Sequence, residues 1–190
     1  VVPEWRFLTD PGGVLDFLHR QGFWSPFSYN EHVRELHHAL ESVYHASPWK
    51  WFCVLLKRSG LGAALPWNVF PRYVFFDARK ACPRFEQLSR QLIADLSGDR
   101  YRAQWEGMRF GRRNRMCFRE RGPIPERLQG FLQDVIRCVR RHQGVSHYVE
   151  KNTWSILHFD KILELLPNAK LIHVYRDPRD VVASFVRQDW

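Results

Sequence analysis

The chain has 190 residues, 45% of them hydrophobic, with 8 tryptophans and 14 phenylalanines. That is enough apolar material for one domain with a core, and it excludes disorder of the whole chain. The net charge of +9 points to an anionic partner, and it allows a nucleotide, a nucleic acid, an acidic or sulfated polymer, or an anionic membrane surface.

In chain order, Asp10-Pro11 predicts a short helix running to Arg20, with Val14, Leu15, Phe17 and Leu18 apolar and Gly12-Gly13 weakening its start. The spacing of Val33, Leu36, Leu40, Val43 and Tyr44 predicts a firmer helix over about 31–45. The apolar runs 51–56 and 73–76 do not alternate, so each reads either as a strand or as a buried helical turn. Residues 59–71 read as loop. Phe85, Leu88, Leu92, Ile93 and Leu96 mark a helix that ends near Ser97-Gly98. Between Arg100 and Arg121 stand eight arginines against two glutamates, interrupted by Tyr101, Trp105, Phe110 and Phe118.

Pro125 opens an amphipathic helix to about Arg141, with Leu128, Phe131, Leu132, Val135, Ile136 and Val139 on its apolar side and Gly144 as its stop. A short strand is predicted over 147–149, a helix over 156–166 and a buried strand over 170–175. Asp177 then caps a last helix, with Pro178 at its first position and Asp180 three residues after the cap. This cadence predicts an α/β fold with parallel strands and right-handed crossovers, and functional residues gathered at the strands' carboxyl ends.

Arg176 ends the predicted strand and Ser184 lies about two turns along the helix, an arrangement suited to a phosphate group near a helix start. The alternative reading is a well-capped strand–helix unit whose arginines face water. Cys53, Cys82, Cys117 and Cys138 form no CxxC and no zinc-site spacing. Unpaired thiols are the default, and the even count leaves disulfides open. HExxH, GxSxG, GxGxxG and GxxxxGK[ST] are all absent. No run is long enough to cross a bilayer. Val1-Val-Pro-Glu-Trp5 lacks both a methionine and a signal-peptide pattern, so the sequence is expected to be a piece of a longer one.

The stretches Val149-Glu-Lys-Asn-Thr-Trp154 and Leu165-Leu-Pro-Asn-Ala-Lys-Leu-Ile-His-Val-Tyr-Arg-Asp-Pro-Arg-Asp-Val-Val-Ala-Ser184 resemble the sulfotransferase superfamily, closest to its branch of tyrosylprotein sulfotransferases and bacterial relatives. The resemblance implies transfer of a sulfuryl group from 3'-phosphoadenosine-5'-phosphosulfate (PAPS) to a hydroxyl acceptor, without a metal. It assigns Arg176 and Ser184 to the nucleotide 3'-phosphate and Lys151 to the transferred group. Val2-Pro-Glu-Trp-Arg-Phe7 is similar to the segment whose glutamate is the proposed general base, which implies Glu4. It also implies a three-layer, P-loop-like parallel-sheet fold, with the first strand and the 5'-phosphosulfate loop upstream of residue 1.

On this reading 1–190 is one incomplete domain. Residues 10–144 would form a mostly helical, variable substrate side, and 145–190 a βαβα nucleotide part. The aromatics and arginines between 24 and 121 suit a hydroxyl presented by an acidic peptide or a glycan. The compartment stays open between a prokaryotic cytoplasm and a eukaryotic Golgi lumen. Two other classes remain: an inactive nucleotide- or anion-binding module, and a basic nucleic-acid-binding protein built on 100–121.

Overall fold

The computed structural model describes residues 6–20, 26–45, 51–52, 55–56, 59, 77–97, 99–102, 115–118 and 124–186. Within these residues the fold is built of helices: α1 (Arg6–Thr9), α2 (Val14–His19), α3 (Pro26–Ser42), α4 (Phe85–Ser97), α5 (Ile124–Gln143), α6 (Phe159–Leu165) and α7 (Pro178–Val186). Two 3-10 turns, Ala78–Lys80 and Thr153–His158, precede α4 and α6. The strands β1 (Asp99–Arg102) and β2 (Arg115–Phe118) pair with each other, antiparallel.

Helical spacing explains most of this. Phe85, Leu88, Leu92, Ile93 and Leu96 are all buried on α4, and Leu128, Phe131, Leu132, Val135 and Val139 on α5, so each helix turns one continuous apolar stripe inward. α3 starts at Pro26, a turn earlier than the apolar spacing predicts, because proline suits a first helical position. α5 stops where expected. Gly144 takes φ +65° and the Val145 N–H donates to the Arg140 carbonyl at 3.0 Å, the longer bond of a Schellman cap. The pair Gly12-Gly13 lies outside α2 as the turn that feeds it. Gly12 has φ +78°, and a Cβ on Gly13 would collide with the Phe7 carbonyl.

Four aromatic rings close the core. Phe85 meets Phe7 at 5.2 Å, Tyr44 at 6.0 Å and Phe131 at 6.1 Å, each edge to face. This cluster joins α1, the turn after α3, α4 and α5. At its margin the Tyr29 hydroxyl donates to the Leu96 carbonyl at 2.5 Å, which fixes α3 to the last turn of α4.

The predicted parallel-sheet α/β fold is overturned. Among the described residues the only sheet is the β1–β2 ribbon. The stretch 170–175 carries no ladder, and Ile172, Val174 and Tyr175 are 82%, 77% and 82% exposed. Residues 147–149 are likewise not a strand, and Val149 is exposed. The physical reason is that a β-rich run becomes a strand only against a partner, since its stabilisation lies in cross-strand pairs. The run 51–56 is helical at Trp51–Phe52 and Leu55–Leu56, and 73–76 lies outside the described residues. With no parallel sheet among the described residues, there are no strand carboxyl ends at which functional residues could gather.

The ribbon's register carries one further consequence. Arg102 stands directly opposite Arg115, and Arg100 opposite Cys117. Directly opposed residues share a face and alternate residues return to it, so positions 100, 102 and 115 lie on one side of the ribbon.

Phe85→Ala should lower the unfolding free energy by about 3–5 kcal/mol, because it removes the ring shared by three contacts and leaves a cavity. Arg34→Ala, on the exposed face of α3, should stay within about 0.5 kcal/mol. Urea denaturation of both variants checks the pair.

Candidate functional site

The helix start after Arg176 forms as its residues dictate. The Asp177 carboxylate accepts the Arg179 backbone N–H at 2.9 Å, while its own carbonyl receives the Val181 N–H at 3.1 Å. That is an N-cap with Pro178 at the first helical position. The Arg179 side chain closes on the same carboxylate in a bidentate grip, Nε to Oδ1 at 3.1 Å and Nη2 to Oδ2 at 2.7 Å. The Arg179 guanidinium, followed by the backbone bond, holds the Asp177 carboxyl below the usual carboxylate range. Arg179 is therefore committed to the cap.

An Asp-x-Arg cap of the same kind opens the 3-10 turn at 78, where Asp77 accepts the Arg79 N–H at 2.9 Å and pairs with its guanidinium at 3.0 Å. The cap alone is thus local chemistry. What sets the later segment apart is Arg176 and Ser184. Arg176 is exposed, and among the described residues no carboxylate pairs with it. Ser184 is exposed on α7, seven residues past Asp177. Seven residues are close to two full turns, so Ser184 returns to the face of the cap about 10 Å further along.

Lys151 is exposed, and among the described residues it too has no acidic partner. Its neighbour Asn152 donates from Nδ2 to the Thr9 hydroxyl at 2.9 Å, and α1 packs against the 3-10 turn Thr153–His158. Just upstream, Tyr148 packs on the core, and burial, helped by the Glu150 carboxylate, pushes its hydroxyl well above its usual range. The Lys151 segment is thereby anchored on both sides. Sequence reasoning passed over Asn152 and Tyr148; the only signal for Asn152 was its place inside the quoted Glu-Lys-Asn-Thr segment.

Glu4 lies outside the described residues. The chain brings α1, which starts two residues after Glu4, against the segment holding Lys151. No hydrogen bond or ion pair among the described residues joins Lys151 to Arg176 or Ser184. His173 is exposed and its ring lies 4.2 Å from that of Tyr175, so it is not the core residue its apolar neighbours suggest.

The site residues fit an anionic nucleotide in charge and access: two uncommitted cations and a hydroxyl, all exposed, with the nearest acid neutralised by Arg179. They supply no carboxylate cluster. Among the described residues, no group of three or more His, Cys, Asp or Glu side chains is placed to hold a metal ion.

The family model described as "Sulfotransferase family" covers residues 75–189, and so begins well upstream of the segment at 149 where the resemblance is legible by eye. No curated protein and no solved structure matches the chain. Arg176, Ser184 and Lys151 all fall inside the matched span. Since that span is more than half of the 190 residues, the chain belongs to the sulfotransferase family.

Proposed function

We propose that this protein transfers the sulfuryl group of PAPS to a hydroxyl acceptor on an acidic peptide or a glycan. The observation that carries the reading is the contrast at 176–184 within a family-matched span. Asp177 consumes Arg179, while Arg176, just before α7, and Ser184, on its body, remain open to solvent. Arg176 and Ser184 hold the nucleotide 3'-phosphate through charge-assisted and hydroxyl hydrogen bonds. Their work is placement, which fixes the far end of the nucleotide and so the direction of attack.

In the transfer itself the acceptor oxygen forms a bond to sulfur as the bond between sulfur and the 5'-phosphate oxygen breaks. The sulfuryl group passes across, and 3'-phosphoadenosine-5'-phosphate leaves. Lys151 offsets the negative charge that develops on the bridging oxygen. Glu4 takes the acceptor proton, a role open to a carboxylate near the attacking oxygen. The acidic acceptor is supported by the eight arginines that stand against two glutamates between residues 100 and 121.

In the full-length protein, Arg176→Ala should weaken binding of 3'-phosphoadenosine-5'-phosphate about 10- to 100-fold, matching the loss of charge-assisted hydrogen bonds. Ser184→Ala should cost roughly 3- to 10-fold, and Arg179→Ala less than Arg176→Ala. Calorimetric titration reads all three, and unchanged affinity in both Arg176→Ala and Ser184→Ala would defeat the assignment. Glu4→Gln should lower kcat by about 10²–10⁴ while leaving nucleotide affinity alone; a loss of affinity equal to the loss of rate would give Glu4 a binding role instead.

The cap has its own pH signature. The folded-state pKa of Asp177 is depressed, so its contribution is present above the ordinary carboxylate range near pH 4 and is lost as pH falls through the lowered value. The Arg179 amide resonance should therefore shift only well into acid. Asp177→Asn should keep the cap and abolish that titration.

A further inference from the structure

Asn152 and Thr9 stand 143 residues apart in the chain, yet their side chains meet: Asn152 donates from Nδ2 to the Thr9 hydroxyl at 2.9 Å, partly shielded from water. Thr9 is the last residue of α1 and follows Phe7 and Leu8, both buried in the core. The chain beyond it is held as well. The Gly13 N–H donates to the Asp10 carbonyl at 2.8 Å, and the Gly12 N–H to the Asp16 carboxylate at 2.7 Å. Thr9 is therefore a fixed point on the body of the protein.

The other end of the bond is the softer one. Lys151 and Asn152 lie in neither a helix nor a strand. The Ser155 N–H reaches the Asn152 carbonyl only at 3.3 Å, a long bond that opens the 3-10 turn. Lys151 is exposed and Asn152 half-buried, so one of these neighbours faces solvent while the other holds the segment to α1. An ammonium on a flexible four-carbon stem is placed only as well as the backbone that carries it. Near a reacting centre a misplacement of about 1 Å costs on the order of 100-fold in rate. The anchor is also a neutral amide. An aspartate at 152 could accept a hydrogen bond from the same hydroxyl, but it would set a negative charge beside the lysine.

We propose that Thr9 and Asn152 are positioning residues for Lys151, an inference that rests on the role given to Lys151 in the proposed transfer. Their part is indirect: the bond sets where the Lys151 backbone stands against α1, and α1 begins two residues after Glu4. One hydrogen bond thereby ties the segment of the cation to the helix that follows the general base.

The test compares the full-length protein with Thr9→Val, which keeps the shape of the side chain but loses the acceptor, and with Thr9→Ser, which keeps the acceptor. Transfer from labelled PAPS is measured to whichever of an acidic tyrosine peptide and a hydroxyl-bearing glycan the unmutated protein uses. Binding of 3'-phosphoadenosine-5'-phosphate is read by calorimetry. Thr9→Val should lower kcat about 10- to 100-fold, keep nucleotide affinity within about twofold, and lower Tm by about 2–4 °C. Thr9→Ser should restore most of the lost rate. In a Lys151→Ala background the Thr9→Val change should cost less than about twofold, because an anchor that acts through Lys151 then has nothing to place. A merely structural residue would cost the same in both backgrounds. Asn152→Ala removes the donor and should match Thr9→Val, with the pair together no worse than either alone; it carries the test if Thr9→Val folds poorly. Full kcat in both single variants, or an equal loss with and without Lys151, would overturn the role. An unmutated protein that transfers no sulfuryl group fails the proposed function and takes this role with it, whereas an active protein indifferent to Thr9 and Asn152 fails this inference alone.

Discussion

The ring of Phe85 is the contact on which the remaining placements depend. It lies edge-on to Phe7, Tyr44 and Phe131, and those partners come from α1, the turn after α3, and α5. Edge-to-face geometry couples orientation as well as distance, so the four rings fix the directions of α1, α4 and α5 together. Phe7 is two residues from Thr9, the hydrogen-bond partner of Asn152. The aromatic cluster thus sets, through one short helix, where the chain carrying Lys151 meets the body of the protein.

The charge distribution follows a different logic. Much of the basic excess is spent locally: Arg20 grips Asp16 at 2.9 Å and Glu35 at 3.2 Å, Arg90 pairs with Glu86, and Arg79 and Arg179 each serve a helix-start aspartate. Exposed pairs of this kind contribute little stability each, but they remove arginines from the pool that can meet a ligand. Among the described residues, Arg176 and Lys151 are among the cations that escape this neutralisation. In a chain this basic, the informative cations are those left over after the local acids have been matched.

Helices governed by their own periodicity were readable in the sequence almost to the residue: α4 from its five apolar positions, α5 from Pro125 to Gly144, and the start of α7 from Asp177-Pro178. The family was readable from Glu150-Lys151 and the 165–184 run, although the family match extends much further upstream than those motifs. The sheet was not readable, because a run such as 170–175 reports a preference and not a partner. Pairing is a property of two segments, and single-segment patterns do not carry it. The same limit hid the Asn152–Thr9 bond and the Phe7–Phe85–Phe131 cluster, whose members are distant in sequence. The site residues divide the same way: Arg176 and Ser184 belong to one local unit, whereas the relation of Lys151 to the amino-terminal segment depends on a contact across most of the chain.

That long contact also bears on how the protein is made. During synthesis Phe7 emerges long before Phe85 and Phe131, and Thr9 before Asn152. At translation rates of about 5–20 residues per second, the wait for Phe131 is on the order of 6–25 s. Until that interval ends Phe7, Leu8, Val14, Leu15, Phe17 and Leu18, all buried in the finished core, lack part of the cover that the later helices supply. Helices α1 and α2 are therefore the part of the core that waits longest for its full cover, and slower synthesis between α2 and α5 lengthens that exposure without changing a single native contact.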